Sequence, residues 1–210
     1  PKEFDIILNI CPGTTKSTIV SQMIPAWCWA VKPESIILTS TNDRTLSTKN
    51  ATISRDIILS DKYKRLFPSI EIRNDVSAKQ FYKNTLKGAR YSFTTKGSKI
   101  GNHGHVLIDD DPTTASQAKS EVEMKAAIEG WKAFQTRKIS KEAGLYILLM
   151  QRLDENDMST HALENLSKTF HICLPAIESD LVKPDIFRKK YINGLLDPIR
   201  LSETVQYHVF

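Results

Sequence analysis

The chain is poor in the features that mark several protein classes. It holds only three cysteines, Cys11, Cys28 and Cys173, an odd number and widely scattered. That excludes a disulfide framework and zinc-type ligand spacing, and it suits a reducing compartment. No apolar run approaches the ~20 residues of a membrane-spanning helix, so no membrane role is expected. There is no low-complexity linker and no internal repeat. No signal peptide is visible, and the chain opens at Pro1, as a fragment lacking its N-terminal residues would.

What is present suits one globular core. The chain has 210 residues, 40% of them hydrophobic, enough for a single sizeable domain and too apolar for disorder. The formal net charge is +5, compatible with a polyanionic partner without identifying one.

The most informative stretch is Ile10-Cys11-Pro12-Gly13-Thr14-Thr15-Lys16-Ser17-Thr18. An apolar, strand-like run (Phe4 to Asn9) precedes it, and a helix-like run follows. Strand, tight loop, Lys-Ser, helix is the order of a phosphate-binding loop. In such a loop backbone N–H groups and a helix N-terminus face the phosphates, Lys adds a point charge, and the hydroxyl holds Mg²⁺. The usual spacing G-x-x-x-x-G-K-[ST] is not met. Ile10 and Thr15 stand at the glycine positions, and only Gly13 remains within the loop. Taken alone, Lys16-Ser17 also fits an ordinary polar helix start.

A second element lies downstream. Gly104-His105-Val106-Leu107-Ile108-Asp109-Asp110-Asp111-Pro112 is an apolar run ending in three carboxylates and a proline. A buried strand that delivers acids at its C-terminal end has the form of a Walker B segment: one carboxylate orders Mg²⁺ and the next polarises the attacking water. An acidic turn would also use Asp and Pro, but three adjacent like charges are easier to hold beside a cation. The short apolar run permits two registers, Asp109/Asp110 or Asp110/Asp111.

Between and beyond these elements, strands and helices alternate. Strands are expected near 4–10, 35–40, 80–86, 90–95, 145–150 and 169–174, besides the acidic strand. Helices are expected near 16–30, 42–59, 116–138 and 157–165. Residues 60–75 read as a basic loop, Lys87-Gly88 as a hairpin turn, and the pattern weakens beyond Pro175. The alternation argues an α/β fold with a mainly parallel sheet covered by helices on both faces.

These residues resemble the ATPase domain of a tailed-bacteriophage or prophage terminase large subunit. Ile7 to Ser17 is similar to the family's loop, which is often Asn-Val-Pro-Pro-x-x-x-Lys-Ser and commonly lacks the flanking glycines. Ile37-Leu38-Thr39-Ser40, Lys64-Arg65-Leu66-Phe67-Pro68, the run from Gly101 to Pro112, and Met150-Gln151-Arg152-Leu153-Asp154-Glu155-Asn156-Asp157 resemble further family stretches in order. Leu174-Pro175-Ala176-Ile177 and Leu195 to Ser202 resemble the approach to the nuclease domain.

The resemblance implies an additional-strand, RecA/helicase-like P-loop fold in residues 1–178, followed by a charged segment, 179–210, that leads toward a C-terminal nuclease domain. It implies ATP and Mg²⁺ held by Pro12, Gly13, Thr14, Thr15, Lys16, Ser17 and Thr18. Lys16 would contact the β/γ-phosphates, Ser17 and Asp110 the metal, and Asp111 the attacking water. Gln151 and Arg152 would sense the γ-phosphate. Part of the adenine pocket would precede Pro1. It also implies double-stranded DNA, a portal protein, a small subunit and a homo-oligomeric ring as partners, the isolated domain being a monomer. The setting would be the host bacterial cytoplasm, transiently at the procapsid portal. Nuclease activity is not expected, since no carboxylate cluster for it stands in these residues.

Two departures qualify the resemblance. Many relatives carry an Arg in the loop, where Gly13 stands, and another before the acidic strand, where Asn102 stands. Lys96, Lys99, Arg90 and Arg152 are the substitutes available, although Lys lacks the bidentate fork. Lys62, Lys64 and Arg65, and the Lys87/Arg90 hairpin, are candidate DNA contacts or simply solvated basic faces. A degenerate, non-hydrolysing docking domain and another helicase-like DNA-dependent ATPase stay open as alternatives.

Overall fold

A computed structural model describes residues 4–95, 97 and 101–199 of the chain. Lys96, Lys99, Arg200, Leu201 and Ser202 lie outside the described residues. One sheet contains β1 (Asp5–Ile10), β2 (Ile36–Thr41), β3 (Ile72–Ser77), β4 (Phe81–Asn84), β5 (Ala89–Thr94), β6 (Val106–Asp110), β7 (Leu145–Met150) and β8 (Thr169–Leu174). The strand order is β3-β4-β5-β2-β6-β7-β1-β8. From β5 to β8 every neighbouring pair is parallel. β4 joins β5, and β3 joins β4, antiparallel at one edge. β7 lies between β1 and β6, so the strand before the phosphate-type loop and the acidic strand are separated by one additional strand.

Helices α1 (Ile24–Val31), α2 (Arg44–Leu59) and α3 (Asp61–Leu66) cover one face; α5 (Glu121–Gln135) and α6 (Met158–Asn165) cover the other, with the short α4 (Ala115–Ala118) preceding α5. Successive side chains of a strand point to opposite faces, and the two cores follow from that. Ile37, Val106, Ile108, Ile147 and Leu149 pack with Trp29, Ala51, Ile58 and Tyr63. Leu38, Leu107, Tyr146, Leu148 and Met150 pack with Trp131, Phe134, Met158 and Ala162. Burial on both faces is why these strands read as unbroken apolar runs. No helix among the described residues is long and apolar enough to cross a membrane.

The helical segment after the loop starts as a π-helix, Thr18–Met23, before α1. Pro25 accounts for it. In a regular helix the N–H of residue 25 would bond the carbonyl of Ser21; proline has no N–H, and its ring crowds that carbonyl. The turn widens, and the released Ser21 carbonyl accepts instead from Arg90 Nη2 at 2.8 Å.

Three expectations need correction. Residues 60–75 are not a loop. Ser60 caps α3, its Oγ accepting from Tyr63 N at 3.3 Å, and the polar edge strand β3 follows. The helix expected over 116–138 is two helices, because Ser120 caps a new one at Glu121. Arg90 is not on a basic surface: it is 1% exposed. By contrast Lys62, Lys64, Arg65 and Lys87 are all exposed.

The segment after β8 turns back toward the start of the loop. Cys173 and Lys183 exchange backbone hydrogen bonds at 2.9 Å, the Tyr191 hydroxyl donates to Pro175 O at 2.8 Å, and Leu196 packs on Cys11 and Ala176.

The β4–β5 hairpin is fastened to the loop after α1. Asn84 Nδ2 donates to Pro33 O at 2.7 Å, and its Oδ1 accepts from the N–H groups of Leu86 and Gly88. A Cβ on Gly88 would lie 2.1 Å from Pro33 O and 2.8 Å from Trp29 Nε1. Gly88→Ala is therefore expected to destabilise the chain by about 1–3 kcal/mol, the usual cost of overpacking. Urea denaturation checks this, and an unchanged midpoint would contradict the packing described.

Candidate active site

β1 and β6 end at the same edge of the sheet, and that brings the loop and the carboxylates together. Lys16 Nζ donates to Asp111 Oδ1 at 2.7 Å and to Oδ2 at 2.8 Å. Ser17 Oγ donates to Asp110 Oδ1 at 3.0 Å. Ser21 Oγ donates to Asp110 Oδ2 at 2.6 Å, and Asn50 Nδ2 donates to the same oxygen at 3.3 Å. The loop turns through two left-handed residues, Gly13 (φ 81°) and Thr15 (φ 59°). Gly13 adopts that conformation at little cost; Thr15 is β-branched and is strained there. Thr14 is half-buried, its Oγ1 donating to Cys11 O at 2.8 Å.

Strand alternation separates the three acids. Asp110 shares the face of Val106 and Ile108 and meets the loop. Asp109 points to the opposite face, where its Oδ2 accepts from the Tyr146 hydroxyl at 3.0 Å. That hydroxyl in turn accepts from Trp131 Nε1 at 2.9 Å. Asp111 follows the strand with φ 46°, held by its N–H bond to Leu149 O at 2.7 Å. Of the two registers, only Asp110/Asp111 faces the loop. Asp110 is 1% exposed. Burial pushes its carboxyl above the usual range; the Ser21 and Ser17 hydroxyls and the Lys16 charge pull it back, while Asp111 adds to the rise.

Pro12, Gly13, Thr15, Lys16, Ser17, Thr18, Asp111 and Gln151 line an open cavity of about 360 Å³. Gln151 thus stands beside the loop. Arg152 does not line this cavity. Its Nε donates to the buried Asp157 Oδ2 at 3.0 Å, and its Nη2 to Thr160 Oγ1 at 2.8 Å, so it fastens the start of α6. Asn102 is half-buried in the turn before β6.

No known family profile matches the chain, and no curated protein does. Solved structures do. The large terminase of bacteriophage HK97 superposes over 98% of this chain with a TM-score of 0.58 at 15% identity. This chain has the fold of part of a bacteriophage large terminase. It spans 42% of that terminase's length. The large terminase of a thermophilic bacteriophage, in complex with ADP, covers 91% of this chain at 14% identity and a TM-score of 0.49.

Several residues of the candidate site were not singled out by sequence reasoning. Ser21, Gln22 and Asn50 form a buried polar layer under Asp110, with Gln22 Nε2 donating to Asn50 Oδ1 at 2.8 Å. Their only sequence signal is polar residues at positions where a helix facing a sheet would be apolar. Asn9, near the end of β1 and outside this cavity, is also polar and buried: it donates to Ser159 Oγ at 2.6 Å and accepts from His171 Nε2 at 2.8 Å.

Burial, aided by the Lys183 and Arg152 charges, pushes the His171 imidazole down from 6.5 to about 4. The unfolded chain therefore binds a proton in that interval that the folded chain refuses. The contribution of His171 to stability is present above pH 6.5 and is lost as pH falls toward 4. His171→Gln is expected to reduce the fall in Tm between these two pH values, read by thermal melts; an identical fall in both proteins would contradict the assignment.

Proposed function

We propose that this chain is the ATP-hydrolysing motor module of a terminase large subunit, driving viral double-stranded DNA into a procapsid. The observation that carries the proposal is the convergence of Lys16 and Ser17 with Asp110 and Asp111 at one sheet edge, within 2.7 to 3.0 Å. The terminase fold adds support but does not by itself specify the chemistry.

The residues present fit Mg²⁺-nucleotide. Among the described residues no group of three or more His, Cys, Asp or Glu side chains is arranged for a metal. A hydroxyl and one carboxylate are instead the donor set suited to Mg²⁺, which keeps its waters and shares substrate phosphates. Ser17 and Asp110 would hold the ion, which would neutralise charge on the phosphate oxygens. The amides of Gly13 to Thr18, at the start of the helical segment, would face the phosphates. Lys16 has two competing acceptors, Asp111 and a phosphate oxygen. Drawn to phosphate, it leaves Asp111 as an acceptor for the proton of the attacking water. Gln151 lines the same cavity and would report the loss of the γ-phosphate to β7 and the chain beyond it.

The wider setting belongs to the same proposal: DNA gripped through its phosphates without sequence preference, a ring of copies on a portal protein, a small-subunit partner, and the bacterial cytoplasm as location. Lys62, Lys64 and Arg65 on α3, and Lys87 in the β4–β5 hairpin, are the exposed basic residues offered for DNA.

A second reading, nucleotide binding without turnover, draws on one observation. No arginine among the described residues lines the cavity around Lys16. Arg90 is buried and Arg152 is tied to Asp157. An arginine finger is worth about 10³–10⁵ in rate, so one supplied by a neighbouring copy separates the two readings.

Steady-state ATP hydrolysis at high protein concentration, with and without double-stranded DNA, tests the proposal. Turnover above a Lys16→Ala blank is expected. Asp111→Asn is expected to lower kcat by about 100-fold or more while leaving nucleotide affinity intact. Binding of Mg-ATP with no turnover under any of these conditions would select the second reading.

A further inference from the structure

We propose that Ser21 and Asn50, anchored from behind by Arg90, are positioning residues that restrain one oxygen of Asp110 so that only the other is offered to a divalent cation. This rests on the nucleotide-binding reading above.

The two oxygens of Asp110 have unequal surroundings. Oδ2 accepts from Ser21 Oγ at 2.6 Å and from Asn50 Nδ2 at 3.3 Å, whereas among the described residues Oδ1 accepts only from Ser17 Oγ, at 3.0 Å, on the side of the loop. The Asn50 amide is itself oriented. Its Oδ1 accepts from Gln22 Nε2 at 2.8 Å, which leaves Nδ2 to face the carboxylate. Ser21, Gln22, Asn50 and Asp110 are all buried, so water does not compete for these bonds.

Behind this layer lies Arg90. Its guanidinium donates to the carbonyls of Ser21 at 2.8 Å and of Asn50 at 3.3 Å, and to the Tyr82 hydroxyl at 3.2 Å. The two residues whose side chains hold Asp110 are thus the two whose backbones Arg90 grips. Ser21 can offer that carbonyl because Pro25 withholds the helical N–H. The acceptors around the buried Arg90 charge are neutral, two carbonyls and a hydroxyl, and they lie on the same side of the sheet as Asp110.

The consequence is a choice of cation. A carboxylate that offers one oxygen suits a small octahedral ion such as Mg²⁺; Ca²⁺ accepts a bidentate bite and more ligands. Loosening Oδ2 should therefore weaken Mg²⁺ and relax discrimination against Ca²⁺. Groups that orient a metal-binding carboxylate typically control about 10–100-fold in affinity.

The test is binding of a fluorescent ADP analogue to this chain, with Mg²⁺ or Ca²⁺ titrated against an EDTA baseline, and circular-dichroism melts as a folding control. The variants are Ser21→Ala, which keeps the carbonyl that Arg90 holds, Asn50→Ala, and Arg90→Lys, which keeps the charge and loses the fork. Each is expected to raise the Mg²⁺ half-saturation about 10-fold or more and narrow the Mg²⁺/Ca²⁺ preference, with EDTA-baseline affinity unchanged. If one variant does not fold, the remaining ones decide. Wild-type Mg²⁺ half-saturation in the folded variants overturns the inference and leaves the nucleotide reading standing. A wild-type chain that binds no nucleotide at all overturns that reading, and the inference with it.

Discussion

The structure depends on keeping Asp110 ionisable while removing it from water. A buried carboxylate costs several kcal/mol unless hydrogen bonds and opposite charge offset its lost hydration. Folding supplies the offset from three directions: Ser17 from the loop, Ser21 from the π-helix, and Asn50 from α2, with Lys16 nearby. Each donor fixes a different element against β6. The same bonds that make the acid tolerable therefore set the spacing of the loop, the first helix and the second.

The period of two along β6 does the remaining sorting. Asp109 and Asp110 are neighbours in sequence and enter opposite cores. One joins Tyr146 and Trp131 beneath α5, and the other joins the loop. The sheet order places β7 between β1 and β6, so Gln151, at the end of β7, reaches the cavity flanked by loop and acids. Arg152, one residue on, turns to Asp157, and a side chain of catalytic type becomes a structural one.

Much of this was legible in the chain. Ile6 to Leu8, Ile36 to Leu38 and Leu145 to Met150 read as strands because a parallel strand buried on both sides is apolar on both faces. The helix over 44–59 was legible from its spaced apolar residues. The elements missed had weaker patterns for physical reasons. β3 is a mostly exposed edge strand, Ile-Arg-Asn-Asp-Val-Ser, with no buried face to enforce alternation. α3 has six residues and buries only Tyr63. Arg90 read as surface because arginine is rarely buried without a carboxylate; the Ser21 carbonyl released by Pro25, the Asn50 carbonyl and the Tyr82 hydroxyl were what admitted it.

By itself the sequence determined the α/β alternation, the loop with Lys16 and Ser17, and the acidic strand end, because local periodicity and residue chemistry carry those signals over short spans. Only the tertiary structure decided which acids meet the loop, that Arg152 is withdrawn and Arg90 buried, and that Ser21, Gln22 and Asn50 complete the site. Arg152 meets partners only a few residues away, through the turn that leads into α6; the other outcomes depend on contacts across dozens of residues and on which face of a strand or helix each side chain occupies, and no local pattern encodes them.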